Sequence, residues 1–138
     1  TPGRSQWPRD TPVGHPCQAR WRRTGIRAQA RAVAADKSRR GCMMAKSAAE
    51  LGATDETVER AVEHAYATWA AELATCIKEA QRDGTIDGKQ KPQVLATTLL
   101  AFMRGQEALH KGGAKPAQIR AAAEEMITMI PSGPKSPE

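Results

Sequence analysis

Residues 55–84 read DETVERAVEHAYATWAAELATCIKEAQRDG, and no glycine or proline interrupts them before Gly84. Val58, Val62, Ala65, Trp69, Leu73, Cys76, Ile77 and Ala80 recur at steps of three and four, the spacing of one face of an α-helix. Asp55 stands where an N-cap belongs, and Glu56 and Glu59 fall in the first turn, where the partial positive charge of a helix N-terminus favours carboxylates. The pattern predicts one amphipathic helix of roughly 29 residues, about 43 Å long at 1.5 Å per residue. Its apolar face must be covered by other elements, and the flanking sequence offers only helices.

Upstream, residues 42–51 (CMMAKSAAEL) are good helix formers, and Gly52 is a natural stop. Downstream, Asp87-Gly88 opens a polar loop, and Pro92 suits the first turn of a helix running to about Lys111. Leu95, Leu99, Phe102, Gln106 and Leu109 make a stripe of large groups along it. Val94, Thr98, Ala101, Gly105 and Ala108 make a stripe of small ones beside it, and Leu100 and Met103 extend apolar character to a third side. Such a helix is expected to be covered from more than one direction. Gly112-Gly113 ends it, and Pro116 starts a last helix over 116–130 bearing Ile119, Met126, Ile127, Met129 and Ile130, with Ala122 and Ala123 between them. Residues 25–38 (GIRAQARAVAADKS) suit a short Ala/Arg helix. The expected fold is all-α, an antiparallel bundle of four to five helices joined by short loops.

Composition agrees. Of the 138 residues, 40% are apolar but only 4% aromatic (Trp7, Trp21, Tyr66, Trp69 and Phe102), so the core must be built from Ala, Leu, Ile, Val and Met, which suits helices better than sheets. No apolar run is long enough to span a membrane. Three cysteines without regular spacing argue against a disulfide framework and for a reducing, cytoplasmic setting.

The net charge of +6 is unevenly spread: residues 1–40 hold ten Lys/Arg and two acids, whereas residues 41–138 hold eleven Lys/Arg and thirteen acids. The body is thus mildly acidic and offers no basic face for nucleic acid. Residues 1–24 contain Pro2, Pro8, Pro12 and Pro16 and five arginines, with no helical or alternating period, and are expected to be a disordered or loosely docked basic segment. It lacks the apolar core of a secretory signal. The segments expected are therefore 1–24, a short helix or linker over 25–40, a helical domain over 41–131 and a flexible tail over 132–138.

Nothing assembles into a catalytic or metal site. His15 and Cys17 lack the two further ligands a metal would need. His64 and Cys76 lie about 18 Å apart along one helix and cannot form a dyad. His110 falls at a helix C-terminus, where an imidazole is favoured for dipole reasons alone. Glu124-Glu125 and the Glu59/Glu63 pair are carboxylates of a solvated helix face, not the Glu-x-x-His pairs of a helical di-metal centre. No phosphate loop, dinucleotide fingerprint or nucleophile elbow occurs. The chain is expected to be no enzyme and to carry no cofactor or metal. The remaining candidates for ligand contact are soft and aromatic groups, Cys42, Met43, Tyr66, Trp69 and Met103, which would wall a partly apolar pocket.

Residues 41–130, about two-thirds of the chain, resemble the C-terminal domain of the tetracycline-repressor family of transcriptional regulators. The likeness rests on an ordered set of phrases: Gly41-Cys42-Met43-Met44 opening a helix, Ala49-Glu50-Leu51, Asp55-Glu56-Thr57-Val58, then Ala80 to Ile86 (AQRDGTI), then Pro92 to Ala96 (PQVLA), Gly105, Leu109, Lys111, Gly113-Ala114 and an Ile119-containing helix. The resemblance implies a bacterial, cytoplasmic regulator whose domain binds a small effector among its helices and dimerises through its last two long ones. The family's DNA reader is a helix-turn-helix, and residues 1–40 contain nothing like its phrase; DNA contact by this chain is expected to be sequence-blind.

Dimerisation has a second argument, independent of the family. Leu95, Leu99, Phe102, Ile119, Met126 and Ile130 offer more apolar surface than short neighbours would cover, while Ala101, Gly105, Ala122 and Ala123 would permit close approach, so a homodimer is expected. The alternative is a helical-bundle dimer acting as an interaction module without a pocket.

Overall fold

A computed structural model describes residues 21–134. They form five helices, α1 (Trp21–Ala35), α2 (Met43–Leu51), α3 (Glu56–Arg82), α4 (Pro92–Lys111) and α5 (Pro116–Met129), and no strand occurs among the described residues. The all-helical class is as expected. Readings that fall on residues 1–20, including the basic arm with Trp7, His15 and Cys17, lie outside the described residues.

The expected start signals do their work. Asp55 Oδ1 accepts hydrogen bonds from the backbone N–H groups of Thr57 at 3.0 Å and Val58 at 3.1 Å, so α3 opens on a side-chain cap. It runs 27 residues and stops before Gly84, whose φ of +82° reverses the chain at little cost because glycine has no Cβ. Pro92 and Pro116 occupy the first turns of α4 and α5.

Packing along α3 is uneven. Leu73, Ala74, Cys76, Ile77 and Ala80 in its second half are buried, whereas Val62 is the one buried residue of its first half. Helix α2, which packs on α3, buries none of its residues fully. The α2 side of the molecule is therefore a thinly covered wing, and the dense core lies where α4 packs on α3 and α1 packs on α4 and α5.

That core joins Ile26 and Ala30 of α1 to Leu73 and Ile77 of α3, Ile86 of the α3–α4 loop, Ala96, Leu99 and Met103 of α4, and Ile119, Ala123, Ile127 and Ile130 at the end of the chain. Fully burying each Leu or Ile contributes about 1.5–3 kcal/mol relative to exposure. Helix α1 begins at Trp21, inside the stretch expected to lack helix. The residues read as a short helix or linker are part of the common core, because Ile26 and Ala30 sit four apart on one face. Outside it, Arg27 makes a two-pronged pair with Glu124 of α5, Nε to Oε1 at 2.5 Å and Nη2 to Oε2 at 2.7 Å.

The core face of α4 is Ala96, Leu99, Met103, Gln106 and His110, rotated from the expected stripe of large residues. Leu95 and Phe102 are half-buried against the core, and Leu109 is exposed. Arg39, with φ +49°, closes the α1–α2 connection onto the end of α4 by donating from Nη1 to the carbonyls of His110 (2.7 Å) and Ala114 (3.4 Å). Residues 132–134, read as the start of a flexible tail, cross the α3–α4 loop: the Asp87 N–H donates to the Pro131 carbonyl at 3.0 Å and the Gly133 N–H to that of Thr85 at 3.4 Å. Cys76 is disulfide-bonded, which the odd cysteine count did not lead us to expect.

Candidate functional site

Three of the five expected pocket residues come together, and a charged pair that composition did not suggest joins them. Cys42 caps α2 through its backbone and buries its thiol. Arg104 of α4 donates from Nη1 to Cys42 Sγ at 3.3 Å and from Nη2 to Glu107 Oε1 at 3.0 Å. The same guanidinium lies over the Trp69 ring, 5.2 Å from Cζ to the ring centroid, a cation–π arrangement. Tyr66, one turn earlier on α3, meets Trp69 edge-on at 5.6 Å between centroids. Both aromatic residues are half-buried, as the thin packing of this wing dictates.

The other two pocket expectations are corrected. Met43 is 71% exposed and borders a shallow surface groove with Asp36, Arg40, Lys46 and Glu50, because the first turn of α2 turns it away from α3. Met103 is buried in the hydrophobic core, and its contribution beside the cluster is its carbonyl, which accepts from Gln29 Nε2 at 3.3 Å.

Two acceptor oxygens in this neighbourhood are buried without a hydrogen-bond partner: Gln29 Oε1 and Glu107 Oε2. A buried polar atom left unmatched costs about 1–3 kcal/mol, so the pair is an expense the fold does not recover internally. Burial pushes the Glu107 carboxyl above its ordinary range, opposed by the Arg104 charge and by nearby Cys42 and Gln29. Burial likewise raises the Tyr66 phenol. Among the described residues no group of three or more His, Cys, Asp or Glu could hold a metal ion, and no helix is long and apolar enough to cross a membrane.

Sequence reading missed Gln29, Arg104 and Glu107. The signal was present in the run Arg104-Gly105-Gln106-Glu107, which interrupts a helix otherwise apolar on several sides with two charges three residues apart.

Of the residues expected at a dimer face, Leu99, Ile119 and Ile130 lie in the chain's own core at 0%, 1% and 3% exposure, because α4 and α5 turn them toward α1 and α3. Leu95, Phe102 and Met126 are half-buried and pack against that core, whereas Ala122 is exposed. The apolar surface left outward is the stripe of small residues, Val94, Ala101 and Ala108 on α4, with Leu109 beside it and Ala122 and Met129 on α5. A groove bordered by Val94, Leu95, Thr98, Met126 and Met129 runs between the two helices.

Comparison with known proteins extends the likeness. The family of tetracyclin repressor-like C-terminal domains matches residues 22–126, from the first turn of α1 to Met126 in α5. No curated protein and no solved structure matches the chain. The matched span includes α1, in keeping with the burial of Ile26 and Ala30 in the common core. With more than half of its length matched, the chain belongs to the tetracyclin repressor-like C-terminal domain family.

Proposed function

We propose that the chain is the effector-binding and dimerisation module of a bacterial, cytoplasmic transcription regulator. The observation that carries this reading is the half-buried cluster of Cys42, Tyr66, Trp69, Arg104 and Glu107. A protein with no use for a ligand gains little from aromatic rings and bare acceptors in a thinly packed wing. The effector is a small molecule, apolar in part, lodged against Tyr66 and Trp69. Heat denaturation tests this: a saturating effector raises the melting temperature by mass action. A screen of drug-sized aromatic compounds that moves neither the melting temperature nor the tryptophan emission refutes it.

The second half of the proposal is a two-fold dimer built on the outward faces of α4 and α5. Val94, Ala101, Ala122 and Met129 supply the surface, with Leu95, Phe102 and Met126 beneath it, and the small side chains let paired helices approach closely. A charge at an exposed residue of this face should dissociate the dimer and spare the fold, so Val94→Arg with Met129→Arg gives a helical monomer in sedimentation equilibrium. Wild-type chain that sediments as a monomer at tens of micromolar refutes the dimer. DNA contact by this chain is sequence-blind and runs through the arginine-rich residues 1–40, so it weakens steeply with salt.

A further inference from the structure

The cluster also carries a statement about ligand chemistry, which rests on the effector-binding reading above. Its donors are engaged: Arg104 gives Nη1 to Cys42 and Nη2 to Glu107, and Gln29 gives Nε2 to the Met103 carbonyl. Its bare atoms, Gln29 Oε1 and Glu107 Oε2, are both acceptors. The Gln29 amide cannot exchange its ends to relieve this, because its oxygen would then face the Met103 carbonyl. Tyr66 and Trp69 supply aromatic surface beside these groups.

We infer that the site selects flat aromatic ligands, neutral or cationic, that present N–H or O–H donors to Gln29 Oε1 and Glu107 Oε2, and that it turns away aromatic anions. An anion has no free positive charge to meet, since Arg104 is paired with Glu107 and held over Trp69. To bind, it would have to displace Glu107 or sit against the bare carboxylate oxygen. A flat hydrocarbon of the same outline would fill the aromatic surface but leave both acceptors unmatched, and a site with unmatched buried acceptors discriminates strongly against a ligand lacking the donor.

Three tricyclic probes of nearly the same outline separate these cases: proflavine, with two amino donors; acridine, with none; and anthracene-9-carboxylate, an anion. Isothermal titration of the full chain should rank proflavine at least tenfold tighter than acridine, with no measurable heat from the carboxylate. Glu107→Gln should weaken proflavine about tenfold and leave acridine unchanged, its melting curve confirming that it folds. Acridine or the carboxylate binding as tightly as proflavine overturns the donor rule while leaving an aromatic effector site standing. If none of the three binds, the effector reading falls and this inference with it. The wild-type ranking decides the matter even if Glu107→Gln does not fold.

Discussion

The two halves of α4 are packed by different rules. Toward its start, Ala96 and Leu99 are wholly buried in the cluster that holds Ile77 and Ile86, and no charge intrudes. Toward its end the neighbours are Arg104, Gln106, Glu107 and His110, with three of the described bare buried atoms on Arg104's surroundings: Gln29 Oε1, Gln106 Oε1 and Glu107 Oε2. The first half gains its stability from apolar surface removed from water. The second spends part of that gain on desolvated polar groups. A helix that packs well at one end and poorly satisfies its polar atoms at the other separates the fold's requirement from the site's, since local rules are most often broken where a protein binds something.

The largest effect should come from the apolar half. Leu99→Ala removes a fully buried side chain and should cost about 2–5 kcal/mol in urea unfolding, the usual range for a core Leu cavity. A loss under 1 kcal/mol would mean that this end is not the anchor. For the same reason a charge at Leu99 should unfold the chain, in contrast to a charge at Val94.

Next comes the pair in the other half. Arg104 and Glu107 retain 15% and 18% side-chain exposure, so Arg104→Met should cost about 1–3 kcal/mol, less than breaking a fully dry pair. Adding Glu107→Leu should recover most of that loss, because the uncompensated carboxylate is then gone. A double mutant no more stable than the single would show that Arg104 acts through its stacking on Trp69 instead.

Gln106 is smaller still. It is 2% exposed, donates to the Ile119 carbonyl at 2.8 Å and leaves Oε1 bare. Gln106→Leu exchanges one hydrogen bond for the removal of an unmatched acceptor, and the net change should stay within about 1 kcal/mol. A loss well above that would make Gln106 a tie between α4 and α5 that the apolar contacts do not replace.

The smallest effect is the pH dependence of Glu107. Its carboxyl is raised in the folded chain, chiefly by burial, so the folded state holds this proton more tightly than the unfolded one. The stability it contributes is complete below the ordinary glutamate value and is lost as pH rises through the raised one. The melting temperature of wild type minus that of Glu107→Gln should therefore decline across that window. A flat difference would place Glu107 in a wetter setting than its 18% exposure indicates.

Much of the fold was legible because its signals are local. Asp55, Gly84, Pro92, Gly112 and Pro116 mark helix ends through backbone chemistry that needs no neighbour. The orientation of each helix was less so. On α4 nearly every side offers an apolar residue, so the period alone does not say whether Leu95 and Leu109 or Ala96 and Met103 face inward. Residues 21–40 misled for a different reason: their arginines suggested a solvated arm, while Ile26 and Ala30 needed only one narrow face to join the core.

The sequence by itself determined an all-helical chain, its helix boundaries and the gathering of Cys42, Tyr66 and Trp69 near one another, since capping, glycine breaks and a three-to-four period act within a few residues. Only the tertiary structure decided that Leu99, Ile119 and Ile130 serve the chain's own core, that Met43 faces outward, and that Gln29 and Glu107 leave bare oxygens beside Trp69. Those outcomes depend on the rotation of each helix against its neighbours. That rotation is set by the summed packing of α1, α3, α4 and α5, a property that no single helix carries in its own residues.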